Sequence, residues 1–456
     1  MQQPRIVILL SIDSLRADHL SCYGYRRSTS PTIDRLAMEG TRFETCYPQG
    51  VYTFPSHVSL LTSIHRATHR LTNGDVFKYS VDTLADYLKT HGYATAGFVS
   101  NGMIAGDLGF REHFDIYDDG LSYHDGQSAT FSRPADVTTA AMLSWLDQHH
   151  TQPAFIFLHF NDCHAPYRTP APYSTLFEND NLGVQSENLP IRPGITQVIT
   201  PEYALDGHTD TNYYVSQYDS AIRYIDDHVK LVLEYLRDHE LLDNSLIVLT
   251  GDHGEAMGEH DVYFMHGKGF YEEFIRIPLI FSGMSITERK TVTVPARHID
   301  VLPTIMDVLG IMDLPEYVQG TSLLPLMQGA RVWLPNIDLF DIKVTSAYIR
   351  YKNWKYITTN DYSLALPTKG TAEAKRYIKR MIRHRKDELY RLDSDPGELF
   401  NVAELEKERT ADLRRRLQSL LVKYDPIELS EHISDDAPVV DEAVINERLR
   451  MLGYID

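Results

Sequence analysis

Up to about residue 335 the chain alternates short apolar runs with longer amphipathic stretches. Residues 5–12, RIVILLSI, read as a buried parallel strand, since a strand covered on both faces need not alternate apolar and polar positions. AFIFLHF at 154–160, SLIVLT at 245–250 and PLIFSG at 278–283 have the same texture, and YATAGFVS after Gly92 is strand-like. Between these runs the apolar spacing predicts helices over 31–40, opened by Pro31 and stopped by Gly40, and over 81–91, 135–150, about 213–239 and 301–310. Strands alternating with helices imply an α/β fold with a doubly wound, mainly parallel sheet flanked by helices.

Beyond about residue 335 the pattern changes. SAYIRYKNWKYIT alternates like a hairpin, and DELYRLDSDPGELFN carries a turn at Asp395-Pro396-Gly397. Residues 404–424 are charged and helical in spacing, and DEAVINERLRMLGYID predicts a short helix and tail packed on the body. The division is therefore a catalytic-size domain over 1–335 and a smaller α+β subdomain with an antiparallel sheet over 336–456. Residues 168–210, rich in Pro, Asn, Thr and Asp, read as a long surface insertion, a lid or a variable loop.

Composition narrows the partners. With 456 residues and 43% hydrophobic content the chain has material for a sizeable core, and its formal charge of −19 argues against nucleic acid or an anionic membrane as the main partner. An anionic substrate would need a local cation. No run approaches the length of a membrane span, and IVILL is too short for a signal peptide. Cys22, Cys46 and Cys163 are an odd number without framework spacing, which suits a reducing compartment, so the expected location is cytoplasmic.

The chemistry-bearing residues sit where elements end. Asp13 follows the first strand, Asp252 and His253 follow a later one, and the C-terminal ends of parallel strands are where such sheets bind ligands. In TFPSHVSLLTS, 53–63, Pro55 occupies a first helical turn and Thr53 lies beside free backbone N–H groups, a setting for an anion and for a nucleophile, although the same residues also serve as a simple helix cap. Asp13, Asp252 and His253, with the Thr53 oxygen, form a donor set for one divalent metal ion. Mn, Zn, Mg and Ca are all conceivable. Lys268, between Gly267 and Gly269, is a candidate for the local cation, and His164 in NDCHAPY for the proton donor to a leaving group. Asp162, His164 and His266 are conceivable ligands of a second metal, with one metal preferred.

The ordered segments SIDSLRADHLSCYGY, SPTIDRLAMEG, TFPSHVSLLTS, LHFNDCHAPY, YDSAIRYIDDHV, DNSLIVLTGDHGEAMGEH, KGFYEEFIRIPLI and ELYRLDSDPGELFN resemble the sulfatase family of the alkaline phosphatase superfamily over nearly the whole chain. The resemblance implies an alkaline phosphatase-like fold, Asp13, Asp252 and His253 at metal-ligand positions, Lys268 and Asn73 as substrate-binding residues, and His164 beside the scissile group. It also exposes departures. The family's Cys-x-Pro-x-Arg, whose cysteine becomes formylglycine, is here Thr53-Phe54-Pro55-Ser56-His57, so no formylglycine can form. His57, in the arginine's place, is a candidate to orient or deprotonate Thr53. Ser14 stands where many sulfatases carry a second aspartate, which disfavours calcium and leaves Mn or Zn favoured.

A formylglycine hydrate releases sulfate by collapsing to the aldehyde, an exit that a threonine ester lacks, whereas a phosphothreonine can be attacked by water at phosphorus. The leading expectation is therefore a metal-dependent hydrolase of small anionic phosphate esters, diester or monoester, with Thr53 as nucleophile. Transfer of the phosphoryl group to an acceptor hydroxyl, sulfuric ester hydrolysis, and a non-catalytic binding protein on the same fold are the alternatives.

Overall fold

The computed structural model describes residues 5–120, 132–178, 208–284, 289–329, 339–343, 346–359, 387–424 and 442–451, with Ile286 and Val440. Its main sheet has nine strands: β1 (Ile6–Ile12), β2 (Thr41–Tyr47), β3 (Ala94–Phe98), β4 (Ile116–Asp118), β5 (Ala154–Phe160), β6 (Ser245–Gly251), β9 (Ile277–Gly283), β10 (Lys290–Val292) and β11 (Ala296–Arg297). β7 (Ala256–Met257) and β8 (Tyr263–Met265) form a separate two-stranded ribbon. The order is β10-β2-β9-β6-β1-β5-β3-β4, with β11 beside β2. All pairings are parallel except those of β9, which runs antiparallel to both β2 and β6.

The apolar runs lack alternation because both faces of the sheet are covered. Val7, Leu9, Phe155, Phe157, Leu246 and Val248 pack with helices α2 (Thr53–Thr62), α4 (Leu84–Thr90) and α8 (Val301–Val308) on one side. Ile6, Ile8, Leu10, Ile156, Leu158 and Leu249 pack with α1 (Pro31–Glu39), α5 (Ala135–His149) and α6 (Thr211–Asp238) on the other. Successive residues thus serve opposite cores, each fully buried side chain contributing roughly 1.5–3 kcal/mol of transfer free energy.

The helix expected over 81–91 begins at Leu84, because Thr83 caps it: the Thr83 backbone N–H donates to Asp86 Oδ2 at 2.8 Å and the Thr83 hydroxyl accepts from the Asp86 backbone N–H. β2 follows α1 after one residue. Gly40 fills that corner because a Cβ there would lie 2.1 Å from the Phe281 carbonyl oxygen. Most of the insertion expected over 168–210, namely 179–207, lies outside the described residues.

The smaller sheet is antiparallel, in the order β12 (Leu339–Lys343), β13 (Ser346–Tyr351), β14 (Trp354–Thr359) and β15 (Glu388–Arg391), with the helix Lys407–Lys423 packed on one face. Its other face shares a core with the main domain, where Leu339, Tyr348, Ile357 and Tyr390 meet Tyr47, Val51, Phe270 and Phe274. Lys355 locks this junction. Fully buried, its ammonium reaches Glu272 Oε1 at 3.0 Å, on α7 (Glu272–Ile275), and Glu398 Oε2 at 3.0 Å. Burial pushes the Glu398 carboxyl up to about 7, even against the attraction of Lys355.

Replacing Lys355 by Met strands the buried Glu398 and half-buried Glu272 carboxylates, and the expected loss is about 3–5 kcal/mol of unfolding free energy, read from urea melts of the two proteins. A change under about 1 kcal/mol contradicts the locking role.

Candidate active site

Three adjacent strand ends build the site. The register pairs Ile12 of β1 with Phe160 of β5 and Gly251 of β6, so Asp13 and Asp252, each one residue beyond its strand, emerge side by side. The Asp13 N–H donates to the Phe160 carbonyl at 2.8 Å, and the backbone N–H groups of Ser14 and His253 both donate to Asp252 Oδ1, at 3.0 and 2.8 Å. The Ser14 hydroxyl donates to Asp13 Oδ1 at 3.1 Å, and Asn101 Nδ2 to Asp13 Oδ2 at 2.7 Å. Opposite this floor α2 begins. Thr53, its first residue, is fully buried, with Oγ1 at 3.4 Å from both Asp13 Oδ2 and His253 Nε2.

These atoms suit a divalent ion. His253 Nε2 stands 3.8 Å from Asp13 Oδ1 and 3.4 Å from Asp252 Oδ2, near the roughly 3.4 Å edge of a tetrahedron whose ligands lie about 2.1 Å from zinc. His253 Nδ1 donates to the Gly254 carbonyl at 3.0 Å, which leaves Nε2 with its lone pair toward the cluster. Asp252 Oδ2 is buried and without a hydrogen-bond partner among the described residues, the condition of a ligand oxygen awaiting its cation. The three protein ligands are grouped closely enough to share one ion.

The electrostatics agree. Burial, and then the Asp13 charge, push the Asp252 carboxyl well above the ordinary carboxylate range. Asp13 is held below that range: burial opposes this, but His164, His253, His159 and His57 together outweigh it. Burial lowers His253 to about 4, so at neutral pH it is already the uncharged form that a metal requires.

The remaining candidates divide. His57 lies one turn into α2, with Nδ1 donating to the Thr53 carbonyl at 2.7 Å and Nε2 held by Ser11 Oγ at 2.9 Å. With its nitrogens bonded so, His57 braces the first turn of α2 from its carbonyl side, and neither nitrogen is hydrogen-bonded to the Thr53 hydroxyl. His164 Nδ1 donates to the Ala165 carbonyl at 2.6 Å, and its ring sits edge-on to His266, 5.0 Å between centroids. His266 in turn stacks on His253 at 4.3 Å and is lowered chiefly by burial and then by His253, His164 and Lys268; Lys268 itself lies two residues further along the chain and is half-buried. Asn73 Oδ1 accepts from the Phe54 N–H at 3.3 Å at the start of α2, and its Nδ2 donor has no partner among the described residues. Asp162 caps α5 instead, accepting from the Ala135 N–H at 3.2 Å, and the described residues do not group it with His164 and His266 as metal ligands.

The arrangement includes residues that the motifs did not reveal. Asn101, which anchors Asp13, stands three residues past β3, at the same C-terminal end of the sheet as Asp13 and Asp252, and that topological rule extended over VSN would have found it. His159, fully buried 3.8 Å from Asp13, is the one polar side chain in AFIFLHF.

Residues 5–311 match the family model "Sulfatase", and residues 258–425 match "N-sulphoglucosamine sulphohydrolase, C-terminal". The chain belongs to the sulfatase family. Sulfatase-family proteins are hydrolases that use a divalent metal, and the cluster around Asp13 is where this member would hold one. The chain is 24% identical to the uncharacterized sulfatase YidJ of Escherichia coli over 93% of its own length and 87% of the relative. Its fold is similar to that of a protein solved in complex with its substrate D-glucosamine-2-N,6-O-disulfate, with a TM-score of 0.71 at 21% identity, covering 94% of this chain and all of the other. It is equally similar to the phosphonate monoester hydrolase of Agrobacterium radiobacter, with a TM-score of 0.70 at 20% identity, covering 96% of this chain and 100% of that one. At these identities the structural likeness is one of fold. No described helix is long and apolar enough to cross a membrane.

Because a metal competes with a proton for the Asp252 carboxylate, whose pKa burial and the Asp13 charge raise, affinity for Mn²⁺ or Zn²⁺ is expected to fall as pH falls, with up to one proton released per ion bound. Calorimetry in buffers of different ionisation heat measures the release, and a pH-independent affinity contradicts the assignment. Asn101→Ala frees Asp13 from its donor and is expected to weaken metal binding about 10- to 100-fold in the same titration.

Proposed function

We propose that this member of the sulfatase family hydrolyses small phosphate esters, diester or monoester, with Thr53 as the nucleophile. One observation carries the reading: a threonine hydroxyl, not a cysteine, opens α2 within 3.4 Å of Asp13 Oδ2 and His253 Nε2. In the first turn of the helix the backbone N–H groups and the dipole favour an anionic group at Thr53. A divalent ion held by Asp13, Asp252 and His253 would favour the ionised Thr53 oxygen and offset charge on the transferring group.

The residues then divide the work. The Thr53 oxygen, having lost its proton to solvent, forms a bond to phosphorus as the bond to the leaving alcohol breaks, and His164 gives that alcohol its proton. Water next attacks phosphorus, giving a proton back to His164, and the bond to Thr53 breaks to release phosphate or its monoester and the ionised Thr53 oxygen. Lys268 and Asn73 Nδ2 bind the non-bridging oxygens, and His57 keeps the Thr53 backbone in place. Phosphorus suits this scheme because the covalent ester can be cleared by in-line attack of water. A sulfuric ester substrate is the second reading, favoured by the sulfatases among the relatives, including a choline-sulfatase of Rhizobium meliloti, 25% identical over 82% of this chain and 78% of the relative.

The test is a screen of the metal-loaded protein on aryl phosphate, phosphodiester, phosphonate and sulfate esters, alongside Thr53→Ala. Turnover of a phosphorus ester that drops by about 10³-fold or more in the variant, with unchanged circular dichroism, is expected. Undiminished turnover in Thr53→Ala removes the nucleophile assignment, and turnover of the sulfate ester alone favours the second reading.

A further inference from the structure

Beside the cluster at Thr53 lies a second group of ligand-type side chains, which shares Asp252 with the first and adds His57 and His159, the last of which the proposed reaction does not use. One ligand atom from each of His57, His159 and Asp252 lies within 4.8 Å of the others, and all three residues are fully buried. Neither ring nitrogen of His159 has a hydrogen-bond partner among the described residues, and Asp252 Oδ2 is equally without one. A neutral imidazole carries one N–H, so a buried ring with both nitrogens unbonded leaves a donor and an acceptor unsatisfied at once, a condition that native interiors avoid unless something else occupies the space. Register explains how the group forms. His159 pairs with Ser11 across β1 and β5, Ser11 holds His57, and Asp252 projects from the neighbouring β6 end.

We propose that His57, His159 and Asp252 bind a second divalent transition metal ion, with Asp252 shared between it and the ion at Asp13 and His253. Two imidazoles and one carboxylate are a donor set for zinc or its first-row neighbours and a poor one for magnesium or calcium, which take oxygen. His57 Nδ1 stands 3.8 Å from Asp252 Oδ2, and binding exchanges one of the two present hydrogen bonds of His57, to Thr53 or to Ser11, for the cation. His159 faces Asp13 at 3.8 Å and the His57 ring at 5.0 Å between centroids, so the ion would sit against the floor of the first cluster. This site is distinct from one built on Asp162, His164 and His266, and it holds whichever ester the protein cleaves.

The experiment loads the metal-free full chain with Zn²⁺, removes excess, and counts zinc by mass spectrometry. Two equivalents are expected in the wild type, and one in each of His159→Phe and His159→Gln. Asp13→Asn is expected to lose the other equivalent while keeping the zinc at His159, and His164→Ala and His266→Ala are expected to keep two. Zinc-edge anomalous scattering from crystals of the loaded wild type is expected to show two peaks that share Asp252 as ligand, a result that needs no variant to fold. A single equivalent and a single peak in the wild type overturn the proposal. Two equivalents that survive both His159 variants overturn it as well. Loss of zinc in Asp13→Asn with none lost in the His159 variants leaves the first cluster standing and removes this one.

Discussion

Two carboxylates placed side by side without water are the constraint on which the site depends. Asp13 and Asp252 are each fully buried, and the register of three parallel strands brings them together. Like charges in a dry interior raise each other's pKa, so the pair is stable only if one carboxyl keeps a proton or a cation replaces it. Burial and the Asp13 charge push Asp252 to the protonated side against the pull of its backbone N–H donors, while His164, His253, His159 and His57, with the Asn101 amide, hold Asp13 below the ordinary carboxylate range. The pair is thus a prepared cation site, and the protein around it is arranged to keep each oxygen in place.

That arrangement explains why so much of the nearby polar hardware is backbone. Ser14 and His253 hold Asp252 through main-chain N–H groups, and Ser14 does so with φ of 56°, a left-handed conformation that costs a non-glycine residue energy. Tyr218 secures this turn, its hydroxyl donating to the Ser14 carbonyl at 2.7 Å while accepting from the Arg16 N–H at 2.9 Å. Strain beneath Asp13 and Asp252 is therefore borne by α6, the long helix that carries Tyr218, which also anchors α1 through Asp226. Rigid elements hold the ligands, as a site requiring sub-ångström placement demands.

The exchange of cysteine for threonine and of arginine for histidine in one helical turn changes the chemistry more than the structure. Thr53 and His57 still occupy the helix start, but the fixed positive charge is gone, and His57, lowered to about 4 chiefly by burial, is neutral at physiological pH. What remains at His57, His159 and His253, all lowered chiefly by burial, is a wall of neutral imidazoles beside two carboxylates. Such a wall ligates cations instead of replacing them.

By itself the sequence determined the alternation of strands and helices, the two-sided burial of the sheet, the separate C-terminal sheet, and the positions of Asp13, Thr53, Asp252 and His253. Each of these is written locally, in runs of apolar residues, in a proline at a helix start, or in a polar residue just past a strand. Tertiary structure alone decided that β9 runs antiparallel, that Asn101 anchors Asp13, that His159 faces the metal floor from inside an apolar run, and that His57 bonds the Thr53 carbonyl and not its hydroxyl. The physical reason is common to all four. Strand direction, the partner of an amide and the bond chosen by an imidazole depend on which segments lie across the sheet, 46 residues away for Ser11 and His57 and 88 for Asp13 and Asn101, and no local spacing encodes that distance.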